Sequence, residues 1–499
     1  MRRRPRLALL VSTVLVAVLA AACSGSSGTP SAGSSAASGA EAPAPQFMVD
    51  QSGRVVVLHG VNFEGSSKDA TNGNLPTSPE SQALLLKSVL GFDAVRFLIF
   101  WSAIEPTEGH FDQAYLNSVA QWVDFFGAHG IHVILDMHQD IYSSVFDGDG
   151  APAWAVFTDG QTFTPAPAGA PWEEAVANGA VQAAYENFWD PSKGHPDLQA
   201  NYIDSWVHVA ERFAHDPTVL GFDLMNEPGF ANGDLAETLT QVPEAAAGTF
   251  HNPNLTGFFQ RTIDAVRKVD TSTWLYVEPT SLLTPFPYAG DLLSLHDPRN
   301  GPPRLGYAPH LYDANAESPV GYTDFSYVPT WASFRVAEAA KLPGPLFIGE
   351  FGRSGSTPNA TRFVDDVTTM ADQHWSSWTW WSWDPGSWSP IAGSTPTTVG
   401  QALMQVYPTA LAGNPGTFSY DPTTRVFDLT WTSRSGVGGP TELAVPSLLY
   451  PGGFTVHLTG GGTATPDAAD QSVAVVVPPG RPHALCLAPT GTVCTPPAT

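Results

Sequence analysis

The chain has 499 residues, 43% of them hydrophobic and only 14% charged, a globular composition too long for one ordinary domain. Its 47 acidic against 22 basic residues give a formal charge of −25 at pH 7. That balance repels phosphate backbones and anionic lipid, so it argues against nucleic acid as a partner and against electrostatic docking on a membrane.

The N-terminus carries Arg2, Arg3, Arg4 and Arg6, then the apolar run LALLVSTVLVAVLAAA, then Cys23. This reads as an export signal over 1–22, too short and wrongly flanked for a comfortable membrane span. Small residues before a cysteine resemble a bacterial lipoprotein signal, with Cys23 the lipidated residue, although Ala20 stands where that pattern prefers Leu. The Ser/Gly/Ala/Pro tract over 23–46 is a flexible tether by composition. The expectation is an exported monomer, a surface lipoprotein held to the membrane by its lipid, with plain secretion as the alternative. Cys486 and Cys494, close together in an exported chain, are expected to form a disulfide.

Short runs rich in Val, Ile and Phe alternate with amphipathic segments, the pattern of a parallel sheet with helical crossovers. Eight strands are predicted, the first four being Val55–Phe63, Ala94–Phe100, His132–His138 and Val219–Glu227. Trp274–Pro279, Leu305–Tyr312, Leu346–Gly352 and Ser377–Trp383 complete the set. Helical patterns lie between them, such as QAYLNSVAQWVDFFGAHG with its stop at Gly130 and LTGFFQRTIDAVRKVD. Eight such units predict an α/β fold, a (β/α)8 TIM barrel over 47–408. The connection from Gln139 to about Pro196 is the longest, leaves the C-terminal end of the third strand, and is read as a binding wall. Over 409–499 the texture changes to short alternating segments with Gly/Pro turns (RVFDLTW, TELAVPSLLY, FTVHLTG, SVAVVVPP, HALCLAP), which predicts a small C-terminal β-sandwich packed on the barrel.

Two glutamates end predicted strands in distinctive contexts: Glu227 in LMNEP on the fourth, Glu350 in FIGEFG on the seventh. A single glutamate at a strand end is usually an ion pair or a solvated rim residue. Two, on strands that face each other across the barrel mouth, match the pair that retaining glycoside hydrolysis requires, one acid and one nucleophile. Asn226 is placed to hold a sugar 2-hydroxyl. Tyr312 is placed to donate to Glu350, His310 beside it to support the pair, and Arg96 to add positive charge. Trp381 on the last strand offers a floor for a pyranose ring. Asp136, His138 and Asp140 alternate as if on one strand face, but an Asp/His trio is not a convincing ligand set, the chemistry needs no metal, and no cofactor is expected. DGDG at Asp147–Gly150 lacks the other ligands of a calcium loop and reads as a turn.

NEP on strand four, HLY on six, GEFG on seven and Trp on eight resemble glycoside hydrolase family five. The resemblance implies a retaining barrel with Glu227 as acid/base and Glu350 as nucleophile. GVNFEGSSK, VRFLIFWSAIEP, LDMHQDIY, GDGAPAWA, KGHPDL, DLMNEP, YAPHLY and WDPGSWSP are similar to the endoglycoceramidases of that family, which cut between glycan and ceramide. By that likeness Lys68, Asp136 and His138 bind the first sugar alongside Asn226, and Gly148–Ala155 with the long insert shapes a slot for lipid. The segment GPPR before YAPHLY and the stretch from Tyr312 to Glu350 depart from those enzymes and leave the preferred sugar open. A polysaccharide β-glucanase or mannanase of the same family, and a sugar-binding lipoprotein on a dead barrel, are the alternatives.

Overall fold

The computed structural model describes residues 47–167, 175–229, 240–241, 243–245, 247, 249–281, 292–342 and 344–499. The export signal, Cys23 and the tether lie outside the described residues. Eight parallel strands form the central sheet: β1 (His59–Phe63), β2 (Ala94–Ile99), β3 (His132–Met137), β4 (Val219–Asp223), β5 (Trp274–Val277), β6 (Leu305–Tyr307), β7 (Phe347–Phe351) and β8 (Ser377–Trp380). Their spatial order is β6-β5-β4-β3-β2-β1-β8-β7. Parallel bridges from Tyr307 to Leu346 and from Leu311 to Phe351 join the two ends and close the barrel. The helices α1 (Gln113–Ala128), α2 (Gly179–Trp189), α3 (Leu198–Phe213), α4 (Pro253–Val266), α5 (Tyr327–Lys341) and α6 (Ala360–His374) lie between strands. Local chemistry sets their ends. Asp112 caps α1 by accepting from Ala114 and Tyr115, and Gly130 just beyond its end has φ +65°. Asn252 caps α4 ahead of Pro253.

Each predicted barrel strand is present, one of them in two pieces. Val55–Val56 leaves the barrel and pairs antiparallel with a strand of the C-terminal module, and only His59–Phe63 joins the parallel sheet. The long connection after β3 contains α2, where an irregular wall was expected.

Inside the barrel the period of two divides the strands by height. On β5 and just past it, Trp274, Tyr276 and Glu278 share a face. On β3, Ile134, Asp136 and then His138 do the same. The lower set (Met48, Val56, Leu58, Ala94, Ile134, Trp274, Tyr276, Ala308 and Phe347) forms one apolar plug. The upper set is almost wholly ionisable. Tyr276 fills the plug because both neighbouring strands place glycine beside it. A β-carbon on Gly221 or Gly306 would lie 2.7 or 2.3 Å from its ring.

The C-terminal module is two antiparallel sheets. One holds β9 (Tyr407–Leu411), β12 (Thr441–Ala444), β14 (Thr463–Asp467) and β15 (Ser472–Val476), together with Val55–Val56. The other holds β10 (Gly413–Asp421), β11 (Val426–Ser433), β13 (Phe454–Leu458) and β16 (Pro482–Pro489). The expected division at 408/409 therefore falls inside β9. The disulfide Cys486–Cys494 fastens the chain end to β16, with Cα atoms 6.0 Å apart. At the joint His59 stacks between Trp378 of the barrel (4.3 Å) and Tyr407 of the sandwich (3.6 Å), and the two cores are continuous.

Gly306→Ala should overpack the plug and lower unfolding free energy by about 1–3 kcal/mol. Tyr276→Ala should cost more, about 3–5 kcal/mol, because it leaves a cavity. Denaturant unfolding of both variants measures this, and an unchanged midpoint for Gly306→Ala would contradict the packing described.

Candidate active site

The upper layer of the barrel is built on Arg96, whose side chain is fully buried. Its guanidinium reaches four carboxyl groups. Nε donates to Asp223 (3.0 Å) and Nη1 to Glu350 (2.9 Å), while Nη2 lies 3.0 Å from both Glu278 and Asp136. The same fork donates to Asn62 (2.9 Å) and to the side-chain oxygen of Asn226 (2.8 Å). Four carboxylates on one cation would be untenable in a dry site. Protons relieve the excess. Burial first, then the charge of Glu278, pushes Asp223 well above the usual carboxyl range, so it is neutral. His310 is held protonated: burial opposes this, but Glu278 and Glu350 outweigh it. Burial and Lys68 pull His138 down, yet Asp136 and Asp140 lift it to about 9. His138 and His310 thus stand beside Arg96 as further positive partners for the acidic layer.

Glu350 comes into this layer by a break in register. β7 pairs Ile348 with Trp378 but Phe351 with Trp380, so it carries one extra residue over that span. Strict alternation from Phe347 would turn Gly349 inward and Glu350 outward. The bulge re-aims Glu350 into the mouth, as bulges near active sites do. The Gly349 carbonyl at the bulge accepts from Asn62 (3.1 Å) and Thr379 (2.5 Å). Tyr312 donates its hydroxyl to the other Glu350 oxygen at 2.9 Å. With these two donors in place the Glu350 side chain keeps 7% exposure.

Glu227 stands opposite, 21% exposed at its side chain, with His310 Nδ1 2.9 Å from Oε1. The same nitrogen is 3.6 Å from Glu350. One oxygen each of Glu227 and Glu350 and a ring nitrogen of His310 all lie within 4.8 Å of one another. Burial, then the charges of Glu350 and Asp140, raise the Glu227 carboxyl above its ordinary value against the pull of His310.

The remaining predicted residues divide. Lys68, His138 and Trp381 meet at the mouth: the Lys68 ammonium sits 4.2 Å from the Trp381 ring centroid and pairs with Asp140, and His138 lies parallel to the same indole at 5.6 Å. Asn226 accepts from Arg96 and donates one amide hydrogen to the Gln139 carbonyl (3.0 Å), which leaves its second for a ligand. Asp136 does not reach the mouth. It has no exposed surface, one oxygen faces Arg96 and the other takes His138 Nδ1 at 2.7 Å, so it positions the histidine and cannot touch a sugar. The carboxylate at the surface is Asp140, 36% exposed. His138, Asp140 and Asp149 also converge within 4.8 Å, but two cations, Lys68 and His138, already meet that charge.

Two residues of the layer had escaped the sequence reading. Glu278, one residue past β5, accepts the Glu227 amide (3.0 Å) besides facing Arg96 and His310. Asp384 accepts from the Gly65 (2.8 Å) and Ser66 (3.0 Å) amides, which ties the turn bearing Lys68 to the segment bearing Trp381. Gly65 is needed there, since a β-carbon would lie 2.8 Å from the Asp384 carboxylate. A small apolar cavity is lined by Trp101, Tyr142, Tyr185, Phe188, Trp189 and Met225 among others, together with Gln139 and His138.

A closed parallel barrel whose C-terminal mouth carries two carboxyl groups within reach of the same space, one of them held by Arg96 and Tyr312, defines a barrel glycosidase. The comparisons agree. The model for cellulase (glycosyl hydrolase family 5) matches residues 49–387, and that for the glycoside hydrolase family 5 C-terminal domain matches 406–484. The chain belongs to glycosyl hydrolase family 5. It is 29% identical over 463 residues to endoglycoceramidase I of Rhodococcus hoagii, covering 87% of each chain. It is 25% identical over 458 residues to an endoglycoceramidase of Cyanea nozakii, covering 83% of this chain and 86% of that one. Among solved structures it resembles endo-glycoceramidase II from Rhodococcus sp. in its lactosyl-enzyme intermediate, with TM-score 0.80, 31% identity, and 90% of this chain and all of that one covered.

The raised His138 has a consequence for stability. A cation favoured by the fold stabilises fully below its unfolded value near 6.5, and that contribution is lost as pH rises through about 9. From this group alone, unfolding free energy should fall by about 3 kcal/mol across that window. Asp149, lifted to about 7 by burial and Asp140, acts at lower pH. Urea unfolding at several pH values should find the alkaline decline flattened in His138→Asn, and an equal decline in both proteins would contradict the Asp136–His138 ion pair.

Proposed function

We propose that this chain is a retaining endo-β-glycosidase that cleaves the bond between glycan and ceramide in glycosphingolipids. One observation carries the chemistry: a carboxyl oxygen of Glu227 and one of Glu350 lie within 4.8 Å of each other, and burial lifts the Glu227 carboxyl above its ordinary value. That separation suits direct attack on the anomeric carbon, whereas an inverting pair stands about 6.5–9.5 Å apart to admit a water. In the first step Glu350 bonds to the anomeric carbon while Glu227 gives its proton to the departing ceramide oxygen. Esterification removes the Glu350 charge that had raised Glu227, so Glu227 becomes a competent base. It then takes a proton from water, whose oxygen displaces Glu350 and restores the β configuration. Arg96 and Tyr312 stabilise Glu350 as it leaves.

The substrate class is supported by two independent features. The relatives at 25–31% identity over most of the chain are endoglycoceramidases, and one was solved with ganglioside GM3. The void lined by Tyr185, Phe188 and Trp189 of α2 and by Gly150 and Ala151 is too small for a lipid chain, but its walls are apolar, the chemistry a lipid aglycone would meet. Lys68, Asp140, His138 and Trp381 would hold the first sugar. We also infer export with acylation at Cys23, which rests on the basic and apolar N-terminus alone. Labelling with a fatty-acid analogue that persists in Cys23→Ser would overturn that inference.

The substrate assignment is tested by incubating the enzyme with a panel of glycosphingolipids in detergent, beside carboxymethyl-cellulose and mannan. Release of ceramide and intact glycan from the lipids alone supports it, and polysaccharide cleavage alone refutes it. Glu350→Gly should lower hydrolysis by about 10⁴-fold or more and regain transfer from a glycosyl fluoride of inverted configuration. Glu227→Ala should lose about 10²–10⁴-fold on lipid yet keep a fast first step with an activated aryl glycoside. Equal loss on every donor in both variants would remove the assigned roles.

A further inference from the structure

Glu227 is held by its backbone as well as by its carboxyl. Its φ is +41°, in the left-handed region that a residue with a β-carbon occupies only under constraint. Side chains from two other strand ends grip the residue at both ends. Glu278 Oε2 accepts from its amide at 3.0 Å. Gln139 Nε2 donates to its carbonyl at 2.7 Å and to the carbonyl of Asn226 at 2.9 Å. Each grip is itself anchored. Glu278 is fixed by Arg96 at 3.0 Å. Gln139 is fixed through its amide oxygen, which accepts from the Tyr142 amide at 2.9 Å and the Tyr185 hydroxyl at 2.8 Å. The turn at Gly150, with φ +113°, packs so closely on Gln139 that a β-carbon there would lie 2.4 Å from the Gln139 β-carbon. Every hydrogen-bonding atom of the Gln139 amide oxygen and nitrogen is thus directed by the fold, and the nitrogen points at the strained peptide.

We propose that Gln139 and Glu278 are positioning residues that hold Glu227 in its left-handed turn and so aim its carboxyl at the leaving oxygen. This rests on the reading of Glu227 as acid/base. A relaxed φ would swing the side chain away from His310 and from the space shared with Glu350, while leaving the nucleophile and the sugar site in place. Misplacing the acid slows only reactions that need a proton on the leaving group. Loss of folded protein, or a general loosening of the site, slows every donor alike. Tyr185 acts one bond further out, through Gln139, and links the apolar cavity that it lines to the placing of the acid.

The test uses full-length Gln139→Met, which keeps length and bulk without any of the four side-chain hydrogen bonds, and Tyr185→Phe, which keeps the ring and removes one anchor. kcat/KM is measured on aryl β-lactosides from dinitrophenyl to phenyl, with and without azide, and melting curves check folding. We expect Gln139→Met to fall about 10–100-fold on the phenyl glycoside and less than about 3-fold on the dinitrophenyl one. Azide should speed its turnover of the dinitrophenyl glycoside and yield the β-glycosyl azide. Tyr185→Phe should follow the same pattern more weakly. Glu227→Ala is run alongside. If it displays leaving-group dependence and azide rescue while both other variants lose activity equally on all donors, or lose none, the positioning role is overturned and the acid/base reading stands. If Glu227→Ala itself lacks that dependence, the acid/base reading falls and the positioning with it.

Discussion

The fully buried guanidinium of Arg96 is the interaction on which the rest of the site depends. A planar fork of fixed donors is the group suited to bind Asp223, Glu350, Glu278 and Asp136 at once. Removing one partner from a buried ion pair costs about 3–5 kcal/mol, and here one cation serves four acids. The arrangement forces protons onto Asp223 and His310, and Asp136 with Asp140 holds one on His138. Glu227, at the edge of the cluster, is raised above its ordinary value by burial first and then by the negative field of Glu350. The division of labour between two chemically identical side chains follows from where each stands relative to Arg96.

This charged layer is tolerable because of what lies beneath and around it. The apolar plug centred on Tyr276 seals the barrel below, and Asn62 and Asn226 complete the guanidinium's hydrogen bonds. The sandwich touches the opposite end of the barrel, through His59 between Trp378 and Tyr407. It supports the plug from below, and Val55–Val56 pairs with β9 in one of its sheets. The mouth is left to the loops after β1, β3 and β8, which bring Lys68, Asp140 and Trp381 together.

Much of this was legible because the strands are short, β-branched and evenly spaced, and because motif residues cluster at their C-terminal ends. What escaped did so for identifiable reasons. Asp136, His138 and Asp140 share a face by alternation, but alternation carries no depth, and four residues separate a carboxylate sealed on Arg96 from one in the mouth. Glu278 stands in WLYVEP with no motif around it. Its signal was the shared face with Trp274 and Tyr276, carried one step past the strand end. Glu350 was found by its context although simple alternation would have turned it outward, because a bulge is a tertiary pairing event that one strand's sequence does not announce. Val55–Phe63 reads as one strand because nothing local marks the point where its pairing changes sheets. β10 carries Asn414, Pro415 and Gly416, residues that disfavour a strand, and its pairing shifts register between Pro415 and Phe418.

The central claim is that Arg96 and the β7 bulge make Glu350, and no other acid of the layer, the nucleophile. The most direct test is to inactivate the enzyme with a 2-deoxy-2-fluoro glycoside bearing a good leaving group, digest it, and locate the label by mass spectrometry. The account predicts one sugar per chain, esterified to Glu350, which is lost on prolonged incubation. A label on Glu278 or Glu227, or time-dependent turnover of the reagent with no covalent adduct, would contradict it.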